Sequence, residues 1–196
     1  MSKLNSLNPK PFKNYNELES TALICVNCEL SDTRQNVVFS SGPNNADIMV
    51  IGEAPGAQED ITGIPFIGRS GKVMDQLFSE VGISRDDIYV TSILKCRPPE
   101  NRNPKSIEIS RCSPFLESQI EFVKPKIIVT VGNFSARHIL KTKVGIKSLR
   151  GNFYPIGDIK IVPTLHPAYV LRNGLRGKNE MLDDLKLVRK LLDEVS

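Results

Sequence analysis

No apolar run in these 196 residues approaches the roughly 20 needed to cross a bilayer, and the opening Met1-Ser-Lys-Leu-Asn-Ser6 carries no apolar core of the signal-peptide kind. A cytoplasmic protein without a membrane partner is therefore expected. Histidine is nearly missing: only His138 and His166 occur, which excludes a histidine-rich metal hydrolase site. Internal repeats and low-complexity tracts are absent, and proline and glycine are spread as punctuation. Acid is almost absent from one long segment. Between Phe122 and Asn179 stand eleven Lys or Arg and the single acid Asp158, which leaves 15 basic and 21 acidic residues elsewhere, although the net charge of the whole is only +4. The asymmetry fits either a polyanion-binding face or a solvated, lysine-rich surface.

What is present suffices for one core. With 40% apolar and 24% charged residues, the chain is expected to form a single domain over 1–196. Four apolar runs read as buried parallel strands: Asp47–Ile51, Ile88–Leu94, Lys126–Val131 and Ile159–Pro163. Helical patterns lie between or after them, at Gly71–Val81, Lys105–Phe122, Asn133–Leu140 and Asn179–Val195. Their alternation predicts an α/β fold: a three-layer α/β/α sandwich around a short, mainly parallel four-stranded sheet. Residues 1–45 read as largely irregular, apart from a helix around Tyr15–Cys25.

All four cysteines fall into one pattern. Cys25-Val-Asn-Cys28 is followed after 67 residues by Cys96 and after 15 more by Cys112. A close pair with two distant partners suits a tetrahedral thiolate site, and spacing alone does not separate zinc from an iron-sulfur cluster. Two disulfides or unrelated buried thiols are the competing readings, and disulfides are disfavoured in a chain without an export signal.

Three strand ends carry the remaining chemistry: Glu53 after the first run, the segment Ser92–Asn103 around the second and His166 after the fourth. After the first run comes Gly52-Glu-Ala-Pro-Gly56, where glycines let the backbone approach a ligand and Glu53 stands at the carboxyl end of the strand. Gly63-Ile-Pro-Phe-Ile-Gly-Arg-Ser70 nearly matches a phosphate loop, but Pro65 lacks an N–H and Phe66 and Ile67 fill the space that phosphates need. It reads instead as a loop presenting Phe66, either to a flat ligand or to the core. His138 lies within a helical pattern and reads as structural. His166, in Thr164-Leu-His-Pro-Ala-Tyr-Val-Leu-Arg-Asn173, follows the last strand and is expected on the same sheet edge as Glu53.

Together these pieces resemble the family 4 uracil-DNA glycosylases, enzymes of thermophile type with a four-cysteine iron-sulfur cluster. The resemblance rests on Gly52-Glu-Ala-Pro-Gly-Ala-Gln-Glu-Asp60, Thr62-Gly-Ile-Pro-Phe-Ile-Gly68, Lys95-Cys-Arg-Pro-Pro-Glu-Asn-Arg102 and His166-Pro-Ala-Tyr-Val-Leu-Arg-Asn173, and runs from Cys25 to about Asn173. It implies that the chain, acting as a monomer, flips uracil out of DNA and hydrolyses its bond to the sugar. It further implies Glu53 and His166 as catalytic residues, with Gly52, Glu53, Ala54, Phe66, Ser92 and His166 around the base. Tyr169–Arg172 resembles the loop that such enzymes press into the duplex, with Leu171 as a wedge and Arg172 at a phosphate. A [4Fe-4S] cluster, rather than zinc, would sit on Cys25, Cys28, Cys96 and Cys112. One position departs from the pattern: Ser92 stands where the family carries an asparagine that reads the pyrimidine edge. A relative that binds uracil but turns over slowly, and a metal-stapled nucleic-acid-binding module without catalysis, are the alternatives.

Overall fold

A computed structural model describes residues 12–195. The strands β1 (Ile48–Gly52), β2 (Ile88–Ser92) and β3 (Ile127–Val131) are buried throughout, without polar alternation, because helices cover both faces of the sheet. Side chains of odd and even register feed two different cores. Val50, Val90 and Val129 meet Met74, Phe78, Leu185 and Val188 on one side, from α3 (Arg69–Glu80) and α7 (Pro167–Asp193). Met49, Tyr89 and Ile128 meet Leu116 on the other, from α4 (Ser106–Val123), with Phe134 and Ile139 of α5 (Asn133–Leu140) packed against them. This is the expected three-layer sandwich.

The sheet has five strands, one more than the sequence pattern suggests. Its order is β2-β1-β3-β5-β4, with β5 (Ile159–Thr164) parallel to β3 and β4 (Tyr154–Ile156) antiparallel at the edge. Three residues centred on Pro155 make no apolar run, and a proline is tolerated there because the strand lies at an edge. Two short helices also lacked a periodic signal, α2 (Ala57–Thr62) and α6 (Ile146–Leu149). No helix among the described residues is long and apolar enough to cross a membrane.

Within the N-terminal segment the described part begins at residue 12, and the first 11 positions lie outside the described residues. Helix α1 (Tyr15–Leu23) is capped by Asn14, whose side chain accepts from the Glu17 N–H. It is pinned to the core by polar contacts: Tyr15 meets the Tyr89 hydroxyl at 2.9 Å, and Gln119 Nε2 donates to that hydroxyl at 2.8 Å. The chain then runs beside β2, where the Val38 N–H donates to the Lys95 carbonyl.

Candidate active site

Strand order reverses at β1, since the chain leaves it for β2 on one side and returns to β3 on the other. Such a reversal opens a crevice at the carboxyl ends of the strands. Four strand ends deliver Gly52, Ser92, Gly132 and, two residues beyond β5, His166. Pairing continues past β1 and β2, with Ile93 N–H donating to the Gly52 carbonyl and Leu94 N–H to that of Glu53. Glu53 is thus held on fixed backbone.

The Phe66 ring lies directly on Gly52. A Cβ at residue 52 would come within 2.5 Å of Phe66 Cζ and 3.1 Å of Ser92 Oγ, so only glycine admits the ring there. Gly52, Phe66 and Ser92 therefore share one spot. Phe66 itself has φ of +55°, a left-handed conformation that a residue with a bulky side chain adopts only under constraint. The constraint is visible: Arg85, paired with Asp75, donates to the Pro65 carbonyl, and the Gly71 backbone sits where any Cβ would strike the Phe66 carbonyl. Ala54 is half-buried and packs on the α4 side of the sheet.

His166 is the N-cap of α7, and its Nδ1 accepts the Ala168 N–H at 3.1 Å. The neutral ring therefore carries its proton on Nε2, which is left as a donor. Burial first, then the Arg172 charge, lowers the imidazole pKa below its ordinary value, with Glu59 opposing. Burial also raises the Glu53 carboxyl above its ordinary value, and Glu53 has no ion-pair partner among the described residues. A neutral donor and a proton-accepting carboxylate on one sheet edge can stabilise developing negative charge and orient water. His138 stands apart on α5, half-buried, with Ser113 Oγ at 3.5 Å from Nε2.

The segment Tyr169–Arg172, read as a loop, is instead the start of α7: Pro167 fits a first turn and His166 caps it. The helix breaks at Gly174, with φ of +55° and ψ of −135°. Leu171 and Arg172 are exposed before the break, and Leu175, which the sequence reading passed over, is more exposed than Leu171 at 78% against 44%. Also missed were Glu100 and Asn101, successive left-handed residues with Arg97 Nε donating to Asn101 Oδ1. The Pro-Pro-Glu-Asn-Arg run was their only signal.

Five of the eleven cations in the basic segment are occupied by acids: Lys126 with Asp47, Arg150 with Asp184, Lys160 with Glu194, Arg176 with Glu180 and Lys178 with Glu80. The outward-facing charge is therefore smaller than the sequence count. Lys147, over the Tyr169 ring at 5.9 Å, and Arg172 remain beside the His166 edge.

The four cysteines line a single cavity with Lys95, Arg34 and Phe115, and all are free thiols, so the disulfide reading falls. Arg34 Nη1 donates to Cys96 Sγ at 3.4 Å. Lys95 is buried, and its ammonium donates to Thr91 Oγ1, the Ser92 carbonyl and Gln119 Oε1, each at 2.6 Å. Burial lowers its pKa to about 8, against the pull of Cys112 and Cys96. A buried ammonium whose ionic neighbours are cysteines fits a site of thiolates. No three His, Cys, Asp or Glu side chains among the described residues stand closely enough to hold one metal ion.

The family profile described as "Uracil DNA glycosylase superfamily" matches residues 39–186. A protein of Saccharolobus solfataricus named type-4 uracil-DNA glycosylase is 44% identical over 159 residues, covering 76% of this chain and 73% of that protein. One of the same name from Sulfurisphaera tokodaii is 40% identical over 89% of this chain and 83% of its own length. A third, from Thermotoga maritima, is 43% identical over 76% of this chain and 79% of its own.

Proposed function

The chain belongs to the uracil-DNA glycosylase superfamily, and from that membership we propose that it is a DNA repair hydrolase that excises uracil and leaves an abasic site. The base leaves the duplex stack at a cost of a few kcal/mol and stacks on the Phe66 ring beside the Gly52–Ala54 turn. Leu171 fills the space it vacates and Arg172 holds a phosphate.

As the bond between the sugar carbon and the uracil nitrogen breaks, its electron pair passes to the base and oxocarbenium character develops on the sugar. His166 Nε2–H donates to the uracil oxygen on which charge accumulates. Glu53 orients a water toward the sugar carbon and accepts its proton as the new C–O bond forms. The observation that carries this reading is the bond from Ala168 N–H to His166 Nδ1. Protonating Nδ1 would set donor against donor, so the ring acts neutral. Cys25, Cys28, Cys96 and Cys112 would hold a [4Fe-4S] cluster, which when bound ties the turn after α1, the end of β2 and α4 together. Incubation with a uracil-containing oligonucleotide and a thymine control, followed by alkaline cleavage, tests the activity; equal cutting of both strands would refute it.

The pH dependence follows in sign. Both groups act deprotonated, and burial raises Glu53 above the ordinary 4.5 and lowers His166 below the ordinary 6.5. Single-turnover excision should rise with pH between these values and level off above about pH 7. A rate that climbs as pH falls through this interval would require an imidazolium and would overturn the assignment.

Affinity for uracil-free DNA should fall with salt, with a log–log slope set by the six cations not paired with acids among the described residues, Lys147 and Arg172 included, rather than by all eleven in the segment. A slope near zero would remove this face from the DNA interface.

A further inference from the structure

Glu59 lies between the two loops that make the base pocket. Its Oε2 accepts the Gly56 N–H at 3.1 Å, and its Oε1 accepts the Gly68 N–H at 2.8 Å. Gly56 is the N-cap of α2 and ends the turn that starts at Gly52; Gly68 is the N-cap of α3 and follows Phe66 by two residues. One carboxylate thus serves the positive ends of two helices. The fit is close on both sides: a Cβ at residue 56 would lie 2.8 Å from Oε2, and one at residue 68 would lie 3.1 Å from Oε1. A helix cap accounts for the first bond only. The second spans nine residues and fixes the loop in which Phe66 holds its left-handed backbone.

We propose that Glu59 is a positioning residue that clamps the Phe66 loop to the Gly52–Gly56 turn, and so sets the ring that stacks on the flipped base. The proposal rests on the glycosylase reading above. Glu59 acts through Phe66 and does not touch the reacting atoms. Glutamine at this position keeps the size but has one carbonyl oxygen, and its amide nitrogen cannot accept an N–H, so one of the two loops is released.

The test is a double-mutant cycle of Glu59→Gln and Phe66→Ala, read by single-turnover uracil excision at saturating enzyme, with the melting temperature of each variant. Glu59→Gln should slow excision about tenfold with Phe66 present and less than about twofold in the Phe66→Ala background, since residues acting as a unit are not additive. The same fold-loss in both backgrounds, or a lowered melting temperature with unchanged excision, would reduce Glu59 to a structural cap and overturn the proposal. Should the amide variant not fold, Glu59→Asp, which keeps the charge but is too short to reach both amides, enters the same cycle with the same expectations. A wild-type protein that releases no uracil would instead sink the glycosylase reading, and the proposal with it.

Discussion

His166→Ala lowers single-turnover uracil excision by roughly a hundred- to a thousandfold, while affinity for uracil-free DNA stays nearly unchanged. That is the scale for removing one donor aimed at charge that exists only in the transition state, about 2.7–4 kcal/mol. The same side chain also caps α7, so its loss costs stability of about 1 kcal/mol as well. His166→Asn separates the two roles. Asparagine is a strong N-cap but is too short to present a donor where Nε2 stands, so the melting temperature should recover toward wild type while excision remains low. Equal losses of excision and of DNA affinity in His166→Ala would make the residue a DNA contact. Recovery of excision along with stability in His166→Asn would leave it only a cap.

Cys112→Ser is expected to remove both the colour and much of the soluble protein. As purified, the wild type should be brown and release iron and acid-labile sulfide in equal amounts, and the variant should release little of either. The effect is large because of what the cavity joins. Cys25 and Cys28 follow α1, Cys96 follows β2 beside the buried Lys95, and Cys112 lies on α4. A group bound to all four closes long loops, and its binding energy is then folding energy. Without thiolates, the buried Lys95 ammonium also loses its countercharge, and an uncompensated buried charge costs several kcal/mol. A colourless wild type containing zinc would replace the cluster with a single ion. Unchanged iron and yield in the variant would remove Cys112 from the ligand set.

The contrast between Glu53 and Glu59 marks the limit of what was legible in the chain. Glu53 was found because an apolar strand ended one residue before it, and strand ends are read from local pattern. Glu59 makes its second bond to Gly68, a contact with no local signature. The segment after His166 failed for a related reason. Gly174 and the scattered charges of Tyr169–Lys178 break the helical period, yet a cap at His166 and Pro167 in the first turn start a helical piece before the Gly174 kink, and packing of Met181, Leu185 and Val188 holds the piece beyond it to Asp193. The edge strand at Tyr154–Ile156 was invisible because it owes its place to pairing with β5.

By itself, then, the sequence determined the layered α/β order, the four thiols as a set, and Gly52, Glu53, Phe66 and His166 as candidates. Each depends on hydrophobic period, residue chemistry or spacing along the chain. The tertiary structure alone decided that the Phe66 ring closes on Gly52, that His166 carries its proton on Nε2, that five cations of the basic segment are already paired, and that Lys95 links the thiol cavity to the Ser92 carbonyl. These are facts of distance and burial between residues far apart in the chain. They arise only when packing sets the dielectric around each charge and brings donors within reach of acceptors.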